Sequence, residues 1–179
     1  AQIPGLNAGE YDAVSSGMSI LPERCARGAF AEPTIMYTST LLVPSGNPEG
    51  LSTLDDLVGT DLTLAVQSGA IEQGYADDLG VENTVTVNSA QGGLDAVANG
   101  RADAFSLTNI TLSTMAEDND AVETTGGFVT EIDGLAQISA GSTVFRPEDT
   151  ELLEAYNEEL AKIVGDEARF VELVGPHGF

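Results

Sequence analysis

The chain has 179 residues, 42% of them hydrophobic, with 29 Asp and Glu against 6 Lys and Arg, a formal net charge of −23. Such a surface is repelled by nucleic acid and by anionic lipid, which argues against both as partners. The apolar share is too high for a disordered acidic tail, and the length suffices for one ordinary domain or two small lobes with a buried core.

In chain order, Ile3 to Gly9 opens on a helical pattern. The stretch from Asp12 to Pro33 reads as a short buried strand ending in Gly17-Met18-Ser19, a turn, and one helical turn carrying Glu23 and Arg24. An apolar patch at Phe30 and a Pro-marked turn at Glu32-Pro33 follow. An extended run over residues 34–43 closes at Pro44-Ser45-Gly46-Asn47-Pro48, a strong turn cluster. Ser52 to Leu57 reads as a short helix with acids in its first turn. Then come a strand over 62–66, a helix over 71–79, a strand over 84–87 and a helix over 90–98. A strand over 102–107 and a helix over 109–118 complete the alternation.

Residues 136–145 form a second extended run. Residues 149–164 give the clearest amphipathic helix, with Leu152, Leu153, Tyr156, Leu160 and Ile163 on one stripe, and a last short helix ends at Gly175-Pro176-His177-Gly178-Phe179. Strands alternating with helices predict an α/β fold with a parallel sheet covered on its faces. The two extended runs bracket a βαβαβ block. They predict residues 1–40 as the first part of one lobe, 45–131 as an inserted α/β lobe, and 136–179 as a return crossover and the first lobe's last helices. No run is long enough to span a bilayer, and no signal peptide is read.

Two places carry binding chemistry. At Gly17, Ser19 and Arg24 a glycine corner sets a hydroxyl beside a guanidinium, whose planar fork meets both oxygens of a carboxylate. The competing reading makes Arg24 a surface residue bridging to Glu23 or Glu32. Ser68-Gly69-Ala70 opens a helix, where backbone N–H groups and the helix dipole favour an anion; equally, Ser68 can simply cap Ile71.

The run Gly17-Met18-Ser19 to Pro22-Glu23-Arg24, followed by Ala29-Phe30-Ala31-Glu32-Pro33, resembles the extracytoplasmic solute-binding proteins of ABC importers, in the branch that takes amino acids and related solutes. Residues 42–48, 100–108 and 145–149 extend the resemblance to nearly the whole chain, and it is closest to the ectoine and hydroxyectoine binders. It implies a two-lobed periplasmic-binding-protein-like fold of type II, with a small ligand held in a cleft between lobes joined by two crossover strands. It also implies a periplasmic or extracellular location and transmembrane permease subunits as partners. The family pattern carries a strand, a helix and a second strand ahead of Ile3, with aromatic residues that box a cationic ring and with any membrane anchor. This sequence starts after that portion of the pattern, so the first lobe is expected to be incomplete here, with any membrane anchor expected in the missing front.

The resemblance implies a carboxylate-binding role for Gly17, Ser19 and Arg24, with Ser68, Gly69 and Ala70 gripping from the other lobe. Amino-acid binders end the strand equivalent to residues 103–108 in an acid that pairs with the ligand's α-ammonium; here the strand ends in Thr108. An unpaired buried ammonium is costly, so the expected ligand lacks a free primary α-amine or finds its counter-charge elsewhere. Ectoine, with a delocalised cyclic amidinium that aromatic faces can meet, fits. Thr108 also suits a helix N-cap before Asn109.

Enzyme readings are weaker. His177 stands beside the C-terminus, Cys25 reads as a small buried hydrophobe, and a single cysteine rules out an internal disulfide. Gly92-Gly93 lies in a helical pattern without a following Lys-Ser/Thr, and Glu117 to Asp120 lacks the spacing of a calcium loop. No cofactor and no metal are expected. The alternatives retained are a polar amino-acid-binding protein, a cyclohexadienyl dehydratase-like lyase on the same fold, and the sensory input domain of a receptor. Dispersed acidity with little lysine suggests a saline habitat.

Overall fold

The computed structural model describes residues 2–137 and 139–174. In chain order the elements are α1 (Gln2–Asn7), β1 (Ala13–Ser19), α2 (Pro22–Cys25), β2 (Ala29–Phe30), β3 (Ile35–Tyr37) and β4 (Ser39–Pro44). After a 3-10 turn at Leu54–Leu57 come β5 (Leu64–Gln67), α3 (Ile71–Leu79), β6 (Thr84–Val87), α4 (Ala90–Ala98), β7 (Ala104–Thr108), α5 (Asn109–Glu117) and β8 (Val122–Thr124). A hairpin of β9 (Glu131–Ile132) and β10 (Leu135–Ala136) precedes β11 (Ser139–Phe145), α6 (Thr150–Val164) and α7 (Glu167–Val174). The chain divides into two compact units, Ala1–Met36 with Ser139–Phe179, and Tyr37–Ile138.

The unit of residues 37–138 is a five-stranded sheet in the order β6-β5-β7-β4-β8 with helices packed on it. Strand β5 runs parallel to β6 and β7, as the β5–α3–β6–α4–β7 succession requires. Strand β4 runs antiparallel to both β7 and β8, so the sheet is mixed rather than wholly parallel. The reason lies in the connections: helices α3 and α4 return the chain for parallel pairing, whereas β4 enters from outside that succession and reaches β5 through the 3-10 turn.

Alternation along the strands then builds two core layers. Leu42, Ala65, Phe105 and Leu107 face α4 and Leu94, Val97 and Leu112; Leu41, Val43, Leu64 and Val66 face the other way, onto Leu54, Leu57 and Ala76. Each fully buried leucine or phenylalanine here stabilises by about 1.5–3 kcal/mol relative to exposure. Two local devices fix element starts: Ser89 Oγ accepts from the Gly92 N–H at 3.1 Å to cap α4, and the Asp56 carboxylate accepts from the N–H groups of Ser52 and Thr53 at 2.7 and 2.9 Å.

The unit of residues 1–36 and 139–179 is built on an antiparallel sheet, β1-β11-β2, with β3 also paired to β11. Its core among the described residues is small: Leu6, Val14 and Val144, flanked by Tyr11, Met18 and Phe30. Arg146 ties the ends of the sheet to α6. Its guanidinium meets Asp12 at 2.9 Å and Asp149 at 2.7 Å and donates to the Tyr11 carbonyl at 3.0 Å. The hydrogen bond it donates to Asp12, and then the charge of Asp149, hold the Arg146 guanidinium above its ordinary pKa despite some desolvation.

Several expectations are corrected. Strand β1 is buried only at Val14; Ser15, Ser16 and Gly17 are exposed. The first extended run breaks at Thr38 into β3 and β4, and the second includes residue 138, which lies outside the described residues. Helix α6 forms as expected, but its stripe is half covered: no residue of it is fully buried and Leu152 is 46% exposed. What it does meet is β11, through Tyr156 set edge-on to Phe145 at 5.2 Å. Cys25 is exposed on α2 rather than buried, because a single helical turn leaves no inner face. His177 and the closing Gly175 to Phe179 lie outside the described residues. Among the described residues no helix is long and apolar enough to cross a membrane.

Candidate functional site

The glycine corner is a bulge. Val14 pairs with Val144 and Met18 with Ser142, so β1 spends four residues where β11 spends two. Gly17 takes up the excess at φ +63, in the left-handed region that favours glycine. Opposite it, a Cβ on Gly141 would lie 2.5 Å from the Gly17 carbonyl oxygen, so the two backbones approach as only glycine permits. The bulge turns the strand end toward α2. Pro22 starts that turn of helix, pre-set for its first position, and Arg24 Nη1 then donates to the Ser19 carbonyl at 3.1 Å. Ser19 and Arg24 are thus brought together, both half-buried, through the Ser19 backbone. That contact fixes the guanidinium at the strand end.

The residues expected from the other unit stand at the ends of adjacent parallel strands. Ser68, Gly69 and Ala70 link β5 to α3, and Ala70, not Ser68, occupies the N-cap, without a side-chain cap. The reading of Ser68 as the cap is therefore corrected; the turn that Gly69 makes at φ +76 moves the cap two residues on. Each N–H of the three has an acceptor within the chain. Ser68 donates to the Val87 carbonyl at 2.9 Å, Gly69 to Gln73 Oε1 at 3.1 Å, and Ala70 to the Gln67 carbonyl at 3.0 Å. An anion at this loop would first have to displace the Gln73 side chain from Gly69.

Thr108 ends β7, half-buried, in the N-cap position of α5. Its hydroxyl donates to Thr111 Oγ1 at 2.9 Å rather than accepting from the backbone. The next residue, Asn109, is locked to the start of the sheet: its N–H donates to the Thr38 carbonyl at 2.9 Å, and its Oδ1 accepts from the Thr38 N–H at 3.3 Å. Sequence reasoning passed over Asn109 and Thr38; an Asn directly after a strand and opening a helix was the available signal. Among the described residues no group of three His, Cys, Asp or Glu is placed to hold a metal ion.

The bacterial extracellular solute-binding proteins, family 3, match residues 1–169. The chain is 36% identical over 161 residues to the "Probable amino-acid ABC transporter periplasmic-binding protein y4tE" of Sinorhizobium fredii (strain NBRC 101917 / NGR234), covering 88% of this chain and 53% of that protein. It is 30% identical over 165 residues to ABC transporter arginine-binding protein 1 of Escherichia coli (strain K12), covering 92% of this chain and 65% of that one. The chain thus spans between half and two thirds of the length of these relatives.

Among solved structures, EhuB in complex with hydroxyectoine superposes with a TM-score of 0.83 at 29% identity, over 99% of this chain and 68% of that one. The ancestral amino acid-binding protein AncCDT-1, a precursor of cyclohexadienyl dehydratase, gives 0.83 at 26% identity, over 97% and 71%. The fold is α/β, of the type II periplasmic-binding-protein kind.

Proposed function

The chain belongs to the bacterial extracellular solute-binding proteins, family 3, and on that premise we propose that it binds a small carboxylate-bearing compatible solute, ectoine or hydroxyectoine, for an ABC importer. In this reading Arg24 takes the ligand carboxylate through its guanidinium fork, with Ser19 and the Gly17 bulge shaping the corner. Ser68, Gly69, Ala70 and Thr108 supply the contacts of the second unit. The partners are the importer's transmembrane permease subunits, and the place of action is the periplasm or the cell exterior. The role is binding rather than catalysis, in keeping with the family and with relatives named as transporter binding proteins.

The observation that carries the ligand class is Thr108. The strand end offers a hydroxyl already engaged with Thr111, where an α-ammonium would call for a carboxylate. Leaving such an ammonium unpaired in a dry site costs about 3–5 kcal/mol, whereas a delocalised ring cation is met by aromatic faces. The solved structure with hydroxyectoine bound supports this choice. A second reading, a polar amino acid, is favoured by the relatives named as amino-acid and arginine binders.

Titration calorimetry with ectoine, hydroxyectoine, glycine betaine, L-glutamine and L-arginine, on the protein and on Thr108→Asp, separates the two. The proposal expects ectoine or hydroxyectoine to bind the unmutated protein, and Thr108→Asp to shift preference toward the α-amino acids. Tight binding of glutamine or arginine by the unmutated protein, with none of ectoine or hydroxyectoine, would establish the second reading.

A further inference from the structure

A polar cluster lies buried where the sheet of residues 37–138 meets α3. Glu72, in the first turn of α3, is 1% exposed, and its Oε1 accepts from Ser39 Oγ at 3.4 Å; Ser39 is itself 3% exposed. The β4–β7 register sets Ser39 opposite Thr108 and Leu41 opposite Ser106. Facing residues of an antiparallel pair stand on the same side of a sheet. Leu41 packs in the layer that contains Ala76 of α3, so Ser39, Ser106 and Thr108 all stand on α3's side. Ser106 Oγ is fully buried and, among the described residues, has no hydrogen-bond partner. A carboxylate and two hydroxyls have been drawn out of water into a layer otherwise made of Leu, Val and Ala. Burial of that kind is unfavourable unless the groups do something that apolar residues of similar size cannot.

What they supply is a fixed link between two segments. Ser39 is held by its backbone on one flank: its N–H donates to the Phe128 carbonyl at 3.1 Å, and its own carbonyl accepts from the Phe128 N–H at 2.8 Å. On the other flank stand Thr108, its register partner, and Asn109, bonded to Thr38. Glu72 joins the first turn of α3 to this anchored point. We infer that Glu72 is a positioning residue. Through Ser39 it holds the start of α3, and with it Ser68 to Ala70, in fixed relation to the end of β7 at Thr108. This rests on the reading that both segments contact the ligand.

The test measures binding of hydroxyectoine, L-arginine and L-glutamine by calorimetry, with melting temperature and amide hydrogen exchange, in Glu72→Leu, Glu72→Gln, Ser39→Ala and the Glu72→Leu/Ser39→Ala double variant. Glu72→Leu keeps an apolar filling and removes the acceptor. It is expected to weaken the best ligand of the unmutated protein ten-fold or more. Exchange should quicken together at Ala70 and Asn109, whose amides donate to Gln67 and Thr38, but not at Leu64, which donates to Asn83 at the far end of β5. Glu72→Gln, which retains an acceptor oxygen, should stay within about three-fold of the unmutated affinity. The double variant should lose no more than Glu72→Leu alone.

Unchanged affinity and exchange in folded Glu72→Leu, with only a lower melting temperature, would reduce Glu72 to a structural residue and overturn the inference. If Glu72→Leu does not fold, unchanged affinity and exchange in Ser39→Ala overturns it equally. If the unmutated protein binds none of the three ligands, the proposed function fails instead. The exchange pattern at Ala70 and Asn109 against Leu64 then decides the inference by itself.

Discussion

At Gly93 helix α4 and strand β7 come so close that a Cβ would lie 2.3 Å from the Phe105 ring, which is fully buried. Alanine is the better helix former by about 1 kcal/mol, but overpacking a filled core costs about 1–3 kcal/mol. The ring lies in one buried cluster with Leu42, Leu94 and Val97, so relieving the overlap means repacking that layer. Gly93→Ala is therefore expected to destabilise, by up to about 2 kcal/mol net in a denaturant melt, and a raised midpoint would show that the layer is looser than described. The Gly92-Gly93 pair lacks the lysine of a phosphate loop, and its glycine is explained by this contact. Other single residues were less legible. The exposure of Cys25 follows from α2 being one turn long, and the shift of the cap from Ser68 to Ala70 follows from the turn at Gly69. Both depend on backbone geometry that residue type alone does not set.

At the level of elements, legibility follows the strength of local signals. Helices α3 and α4 and strand β6 fall on the residues that the sequence pattern assigns; α3 stops at Gly80, α4 starts at the Ser89 cap, and β6 alternates between Asn83 and Asn88. Strands β5 and β7 sit one or two residues later than expected because their buried runs are apolar without alternation and carry no boundary mark of their own. The hairpin of β9 and β10 was passed over. Its two-residue strands are too short for a period-2 pattern, and the turn signal, Asp133-Gly134, with Asp133 at φ +52, was its one clear mark. The mixed direction of the sheet was misjudged for a different reason. Alternation of strands and helices fixes β5, β6 and β7 as parallel, but β4 and β8 pair with partners far along the chain, and no local pattern reports that. In the candidate site the glycine corner and the Pro22-Glu23-Arg24 turn were readable, whereas the bulge at that corner, a register shift against β11, was not. The partners of Glu72 and Asn109 were not readable, because Ser39 and Thr38 each lie more than 30 residues away in the chain.

At the scale of the whole molecule, charge dominates. A net charge of −23 with few basic residues loads the folded state with self-repulsion. Added salt shortens the Debye length from about 10 Å at 0.1 M to about 3 Å at 1 M, so thermal stability should rise over that range of KCl. Melting temperatures that stay flat or fall would remove the case for adaptation to a saline habitat; sulfate is unsuitable, since it also strengthens apolar burial. The central claim is narrower: a carboxylate held by Arg24 at the end of β1. Titration calorimetry of hydroxyectoine against the unmutated protein, Arg24→Ala and Arg24→Lys tests it most directly. Loss of a charge-assisted contact in a desolvated site should cost about 2–5 kcal/mol, so Arg24→Ala should bind tens- to thousands-fold more weakly. Arg24→Lys should recover part of that, since a point charge lacks the planar fork. Hydroxyectoine affinity unchanged in Arg24→Ala would contradict the assignment.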